Sequence, residues 1–234
     1  MNEPAPRIRT LVFDLDGTLI DSAPDIHAAA NRLMSELALP QFDLATITSF
    51  IGNGIPKLVE RCLTAAGDAA QSVSRNHALE RFNAFYAEEP TVRTRPYRGV
   101  VEALERLSSA GCRLGIVTNK SEALSHAVLA DLGLAHRFNV LIGGDTLATR
   151  KPDPAGLLLG LRRLGGAAAD VLYVGDSEVD AETAVRGGVR FALFTGGYRK
   201  SAISDIPHWY AFDDMRELLK DRIFADVTRS LQAG

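Results

Sequence analysis

The chain has 234 residues, 46% hydrophobic and 24% charged, with a formal net charge of -3. This is the balance of an ordinary globular protein, with no polybasic case for nucleic acid or an anionic membrane. No apolar run reaches the roughly 20 residues of a membrane helix, and the opening MNEPAPRIRT lacks the apolar segment of a secretory signal, so the expected location is the cytoplasm. Cys62 and Cys112 form no CxxC pair and read as small buried hydrophobes, not as a disulfide or zinc framework.

Along the chain, short apolar runs alternate with helical stretches. Thr10–Phe13 reads as a strand that runs into Asp14 and Asp16. In the segment that follows, Ile26, Ala29, Ala30, Leu33, Met34 and Leu37 share one helical stripe, with Pro24 suited to a first turn. Leu58, Val59, Cys62 and Leu63 form a second stripe between Pro56 and Gly67, and Ala78, Phe82 and Phe85 a third. An all-helical insertion is therefore expected over residues 20–96, inside a core made of 1–19 and 97–234.

Pro96 and Gly99 mark the return, and VVEALERLSSAGC predicts a crossover helix ending at Gly111. CRLGIVT, NVLIGG, DVLYVGD and VRFALF are nearly continuous in apolar residues, as strands covered on both faces are. Strand–helix alternation predicts an α/β fold with a doubly wound parallel sheet. The last 27 residues, from His208, are expected to include an amphipathic helix, with Trp209 a packing anchor and Phe224 and Val227 buried either on the core or on a second subunit.

Ligands of open parallel sheets bind beyond the carboxyl ends of the strands. Those ends carry Asp14-Leu15-Asp16-Gly17-Thr18, then Thr118-Asn119-Lys120, then Lys151-Pro152-Asp153-Pro154 after the third strand, and Asp176 with Asp180 after the fourth. Each residue alone has a plainer explanation: aspartates as helix caps or turn residues, Thr118 and Asn119 as caps, Lys151 as a surface lysine. Together the carboxylates need a cation, because two like charges at ~4 Å repel by about 4 kcal/mol at an effective dielectric of 20. Hard oxygen ligands without His or Cys select Mg²⁺ or a similar ion. Such an ion, an ammonium, a hydroxyl and N–H groups exposed at Gly17 suit a phosphoryl group.

DLDGTLIDS, TNK, KPDP and GDSEVD stand in the order and spacing of four motifs of the haloacid dehalogenase-like hydrolase superfamily, which the chain resembles over nearly its whole length. The helical insertion is similar to that superfamily's cap, set in a Rossmann-like core. FIGNGIPKLVERCLTAAG and RPYRGVVEALERLSSAGCRLGIVTNK resemble the phosphoglycolate phosphatase group. The resemblance implies Asp14 as nucleophile and Asp16 as general acid and then base. It implies Gly17, Thr118, Asn119 and Lys151 at the phosphoryl oxygens, and Mg²⁺ held by Asp14, the Asp16 carbonyl and Asp176, with Asp180 steadying it. Asp21 and Glu178 take capping or supporting parts. A dehalogenase displaces halide and needs no acid, so Asp16 points to a leaving oxygen.

In the insertion, Gly52-Asn53-Gly54 permits positive φ before a helix start. Asn53, Gly54 and Lys57 are the candidates for substrate selection, with Arg61 beside them; a plain helix–helix turn and a snorkelling lysine are the alternatives. The expected activity is hydrolysis of a small phosphomonoester, foremost 2-phosphoglycolate. Another sugar phosphate, a phosphomutase, and a phospho-accepting signalling or binding module stand as alternatives. The expected partner is a small phosphorylated metabolite, with no nucleic acid or membrane, in a monomer or homodimer.

Overall fold

The structure is a computed structural model that describes residues 8–166 and 170–220. Six strands form one wholly parallel sheet in the order β5-β4-β1-β6-β7-β8. They are β1 (Thr10–Phe13), β4 (Arg113–Val117), β5 (Val140–Ile142), β6 (Val171–Gly175), β7 (Arg190–Phe194) and β8 (Tyr210–Phe212). β1 lies in the interior, where the strand order reverses, and residue 10 pairs with both Arg113 and Val171. Reversal of order is what opens a crevice at the carboxyl edge of such a sheet.

Alternation along β1 divides the core into two layers. Leu11 and Phe13 pack with Val100, Leu104 and Leu107 of α5 (Val100–Ser109) and Val128 and Leu129 of α6 (Glu122–Asp131). Val12 points the other way, to Leu157, Leu161 and Leu164 of α7 (Ala155–Leu164) and Ala181 and Ala184 of α8 (Glu178–Gly187). Helices thus cover both faces, which explains strands without polar alternation.

Between β1 and β4 the chain builds a separate hydrophobic cluster from α1 (Ala23–Glu36), α2 (Leu44–Phe50), α3 (Ile55–Ala65) and α4 (Arg75–Glu88). α1 buries Ile26, Ala29, Ala30, Leu33 and Met34, and α3 buries Leu58, Val59, Cys62 and Leu63, as their stripes predict. α4 departs by one position: Tyr86 is fully buried, while Phe85 is only half-buried and lies between the guanidinium groups of Arg32 and Arg81. One residue turns a helix by ~100°, so that step changes which ring faces inward. α2 is an addition to the expected elements; Asp43 caps it by accepting from the Thr46 N–H at 2.7 Å.

The chain enters and leaves this helical layer side by side. β2 (Ile20–Asp21) and β3 (Arg95–Pro96) pair antiparallel. Buried Asp25 ties the exit to α1 by accepting from the N–H groups of Arg93 and Thr94 and from the Thr94 hydroxyl.

The helix expected after His208 is corrected in its described part. Tyr210–Phe212 is the edge strand β8, because the Trp209 N–H bonds to the Phe191 carbonyl and extends the ladder. A 3₁₀ turn follows at Met215–Leu219, burying Met215 and Leu218 against α5. Trp209 is half exposed beside Arg190 and anchors little. Phe224 and Val227 lie outside the described residues. Both cysteines are buried and free.

Candidate active site

The residues just beyond β1, β4 and β6 converge. Asp14 prolongs the sheet, its N–H reaching the Val174 carbonyl at 2.9 Å. Its Oδ1 accepts from the Leu15 N–H at 2.7 Å and faces Lys151 Nζ at 2.9 Å. Lys151 also donates to Asp180 Oδ1 at 2.7 Å and to the Tyr173 hydroxyl at 3.1 Å. Asp180 sits in the first turn of α8 in a capping box with Ser177, and its Oδ2 accepts from the Ser177 hydroxyl at 2.6 Å. Asp180 is therefore engaged on both oxygens, and it seats Lys151. Asp176 accepts from the Thr18 hydroxyl at 2.8 Å and from the Tyr198 N–H at 2.6 Å.

Three buried carboxylates, Asp14, Asp176 and Asp180, thus place an oxygen each within 4.8 Å of one another, with Lys151 the ammonium in contact. Charge is in excess. Burial, reinforced by Asp180 and only partly offset by Lys151, pushes the Asp14 carboxyl up to about 7. Burial, then Asp180 and Asp14, hold Asp176 well above the carboxylate range. Burial also opposes ionisation of Asp180, but Lys151 and its hydrogen bonds keep it low. A hard divalent cation between Asp14 and Asp176 would relieve this repulsion, so the donor set fits such an ion.

Asp16 points away from this cluster, toward the helical layer. It accepts from the Ser22 hydroxyl at 2.6 Å and from Lys120 Nζ at 3.0 and 3.1 Å. Lys120 in turn donates to the Tyr86 hydroxyl of α4 at 2.8 Å. Its side chain is 2% exposed. Burial would lower its pKa, yet Asp16 and Tyr86 raise it above the ordinary lysine value.

Asp14, Asp16, Thr118, Asn119, Lys120 and Tyr86 line one small cleft, closed on the other side by Ile26, Ile51, Gly52, Gly54, Ile55 and Leu58. The Asn119 amide donates to the Gly52 carbonyl at 3.0 Å and to the Lys151 carbonyl at 3.2 Å, while its buried Oδ1 has no donor.

Some of the residues expected from the sequence are placed differently. The Gly17 N–H is not free for an anion, because it closes its own loop on the Ile20 carbonyl at 2.9 Å. Gly17 is needed for another reason: its φ is +87°, and a Cβ there would lie 2.4 Å from Asp176 Oδ2. Gly54 lines the cleft as expected of a covering loop. Asn53 and Lys57 do not. Asn53 accepts from Arg61 at 2.7 Å, Lys57 pairs with Glu60 at 2.8 Å, and both face the outer mouth beside Arg150. Asp21 and Glu178 have supporting contacts, Asp21 accepting from the Tyr198 hydroxyl at 2.7 Å and Glu178 from the Lys200 N–H at 2.8 Å.

Sequence reasoning missed Lys120 and Tyr198 as parts of the site. Lys120 stands beside Thr118 and Asn119 in the sequence, which was the available signal. Tyr198 had none, although its N–H holds Asp176 and its hydroxyl accepts from the N–H groups of Ser22 and Ala23 at 2.8 and 2.9 Å.

The chain is similar to known proteins along nearly its whole length. A phosphoglycolate phosphatase of Cereibacter sphaeroides is 46% identical over 215 residues, 90% of this chain and 97% of that protein. One of Aquifex aeolicus is 39% identical over 193 residues, 82% of this chain and 87% of that protein. The crystal structure of a predicted phosphoglycolate phosphatase from Haemophilus somnus superposes with a TM-score of 0.86 at 30% identity, over 91% of this chain and 96% of that one. The family model of the haloacid dehalogenase-like hydrolases matches residues 11–194, from the strand before Asp14 to the end of β7. With that match spanning the segments that meet at the sheet edge, the chain belongs to the haloacid dehalogenase-like hydrolases.

Proposed function

We propose that the protein is a Mg²⁺-dependent phosphatase that hydrolyses 2-phosphoglycolate. The observation that carries this reading is the cluster of Asp14, Asp176, Asp180 and Lys151 at the floor of a cleft whose wall holds a further carboxylate, Asp16. The names of the relatives direct the choice of substrate. Residues 20–96 form a cap, and 1–19 with 97–234 the catalytic core; the separate hydrophobic cluster of α1–α4 and the narrow β2–β3 crossing support that division.

Asp14 is the nucleophile. Leu15 N–H and Lys151 fix its Oδ1, leaving Oδ2 to attack phosphorus. The ester oxygen departs with a proton from Asp16, and Asp14 carries the phosphoryl group. Asp16 then takes a proton from water that attacks this aspartyl-phosphate, releasing inorganic phosphate and restoring Asp14. Thr118, Lys151 and the main-chain N–H of Asn119 hold the phosphoryl oxygens, the Asn119 amide being engaged by the Gly52 and Lys151 carbonyls. Asp14, Asp176 and the Asp16 carbonyl would hold Mg²⁺, and Asp180 acts mainly through Lys151. When bound, Mg²⁺ screens the repulsion between carboxylate and phosphate.

The test is phosphate release from 2-phosphoglycolate and a panel of small sugar phosphates. Release is expected with Mg²⁺ and is lost in EDTA. No release from any small phosphoester in Mg²⁺ would sink the reading.

Proton linkage gives a second check. The Asp14 carboxyl titrates near 7 in the folded protein against an ordinary 3.8, so the native state binds the extra proton. In metal-free protein, stability from this group falls as pH rises from about 4 to about 7. Mg²⁺ replaces that proton at neutral pH. The Mg²⁺-induced rise in Tm is therefore expected to be larger at about pH 7.5 than at about pH 5. An equal rise at both would contradict the assignment of Asp14 to the ion.

A further inference from the structure

The phosphatase reading leaves open what recognises the leaving alcohol. Lys57, Arg61, Arg150 and Lys120 lie near the cleft or its mouth. Lys57 is spent on Glu60 at the surface, and Arg61 donates to the Phe50 carbonyl and to Asn53. Arg150 lines the outer mouth, not the cleft. Lys120 alone among them lines the cleft with Asp14 and Asp16, opposite an otherwise apolar wall of Ile26, Ile51, Ile55 and Leu58.

Resting on that reading, we infer that Lys120 is the specificity-determining cation of the cleft, that it reads a carboxylate borne on the carbon next to the ester oxygen, and that Tyr86 is its positioning residue. The reach is set by contacts. Asp16 is the group that touches the ester oxygen, and Lys120 Nζ lies 3.0 Å from Asp16. The ammonium therefore stands one contact beyond that oxygen, the reach of a carboxylate on the adjacent carbon.

The hydrogen bonding can be rearranged to admit such a ligand. An ammonium has three donors. One goes to the Tyr86 hydroxyl, and the other two go to the two oxygens of a single carboxylate, Asp16. A shift of Asp16 to one-oxygen contact frees a donor without unseating the lysine. Tyr86 keeps the ammonium in place from the far side, with its ring centroid 4.7 Å from Nζ. A neutral leaving group offers this buried charge no counterpart, and hydrogen bonds to charged groups are the strong ones. The sequence offered Lys57, Arg61 and the loop amides at Asn53 and Gly54 for this part, with none ranked above the others. The structure moves it to the core, to a residue that only the cap's Tyr86 completes.

The measurement compares two phosphoesters of nearly equal size, 2-phosphoglycolate and 2-hydroxyethyl phosphate, which carries CH₂OH in place of the carboxylate. The wild-type protein is expected to prefer 2-phosphoglycolate in kcat/KM by on the order of 100-fold, the scale of a lost contact to a buried charge. In Lys120→Met the two values converge to within about threefold, whatever the absolute loss. In Tyr86→Phe the preference narrows by about three- to tenfold, since one hydrogen bond to the ammonium is removed.

A Lys120→Met protein that loses activity on both esters by the same factor overturns the inference, because the lysine then serves Asp16 alone. If Lys120→Met does not fold by circular dichroism, Tyr86→Phe decides, and an unchanged preference overturns it. A wild-type protein that hydrolyses both esters equally refutes the part given to Lys120 while the phosphatase reading stands. Hydrolysis of neither, nor of any sugar phosphate, refutes the reading itself.

Discussion

Asp14→Asn is expected to lower kcat for phosphate release by at least about 10⁴-fold, the scale on which removal of a covalent nucleophile acts. An amide cannot take the phosphoryl group, yet it keeps the shape of the carboxylate and can still accept from the Leu15 N–H. The loss should come without unfolding. Asp14 is one of three mutually repelling buried carboxylates, and its carboxyl is already pushed up to about 7. Removing that charge relieves Asp176, while Lys151 retains Asp180 at 2.7 Å. The Tm of the metal-free variant at neutral pH should therefore equal or exceed that of the wild type. Fluoroberyllate, a mimic of the phosphoryl group on aspartate, should raise the Tm of the wild type with Mg²⁺ and leave the variant unmoved. Retention of more than about 1% of kcat would take the nucleophile away from Asp14.

Lys151→Met should act on both stability and chemistry. Its ammonium, 3% exposed, lies between Asp14 and Asp180, and among the described residues no other cation contacts either. Removing one member of a buried charge cluster costs about 3–5 kcal/mol, because what remains is charge without a partner. For a chain of this size that corresponds to a fall in Tm on the order of 10 °C. Asp180 then loses the partner that holds it ionised, and Asp14 loses the contact that fixes Oδ1. Catalysis should fall by about 100-fold or more even where the protein is folded, through loss of phosphoryl-oxygen stabilisation. Thermal melts and steady-state kinetics below the variant's transition separate the two effects. A variant with wild-type Tm would show that Lys151 is not the counter-charge of this cluster.

Local signals made much of this legible in advance. β1, β4, β6 and β7 announce themselves as apolar runs because both faces of the sheet are covered. α1 and α3 announce themselves as stripes because each buries one face. What escaped was decided by distant partners or by brevity. β8 has three residues and exists because Phe191 offers it a ladder. α2 has seven residues, too few for periodicity to speak. Tyr86 replaced Phe85 inside α4 because the helix's rotation is set by what it packs on, and a phenol that meets Lys120 can be buried where a bare ring would leave the ammonium short of an acceptor. Lys120 could be placed at a strand end but not given a partner. Asp16 lies 104 residues away, and Tyr86 comes from another layer. At Gly17 the sharp turn was legible, but the close approach of Asp176 that excludes a Cβ, and the engagement of its N–H by Ile20, were not.

The position of β1 has a consequence for how the protein is made. β1 is made well before either of its neighbours: its partners are Arg113–Ile116 on one side and Val171–Val174 on the other. Contacts so far apart in sequence are slow to form. The helices of residues 23–88, by contrast, contact chiefly one another and have their apolar surface at hand as soon as they are synthesised. The nascent chain must carry an unpaired Thr10–Phe13 and an unshielded Asp14 past a finished helical bundle until β6 arrives. The residue that would perform the chemistry is thus made long before the strand whose Val174 carbonyl holds its N–H.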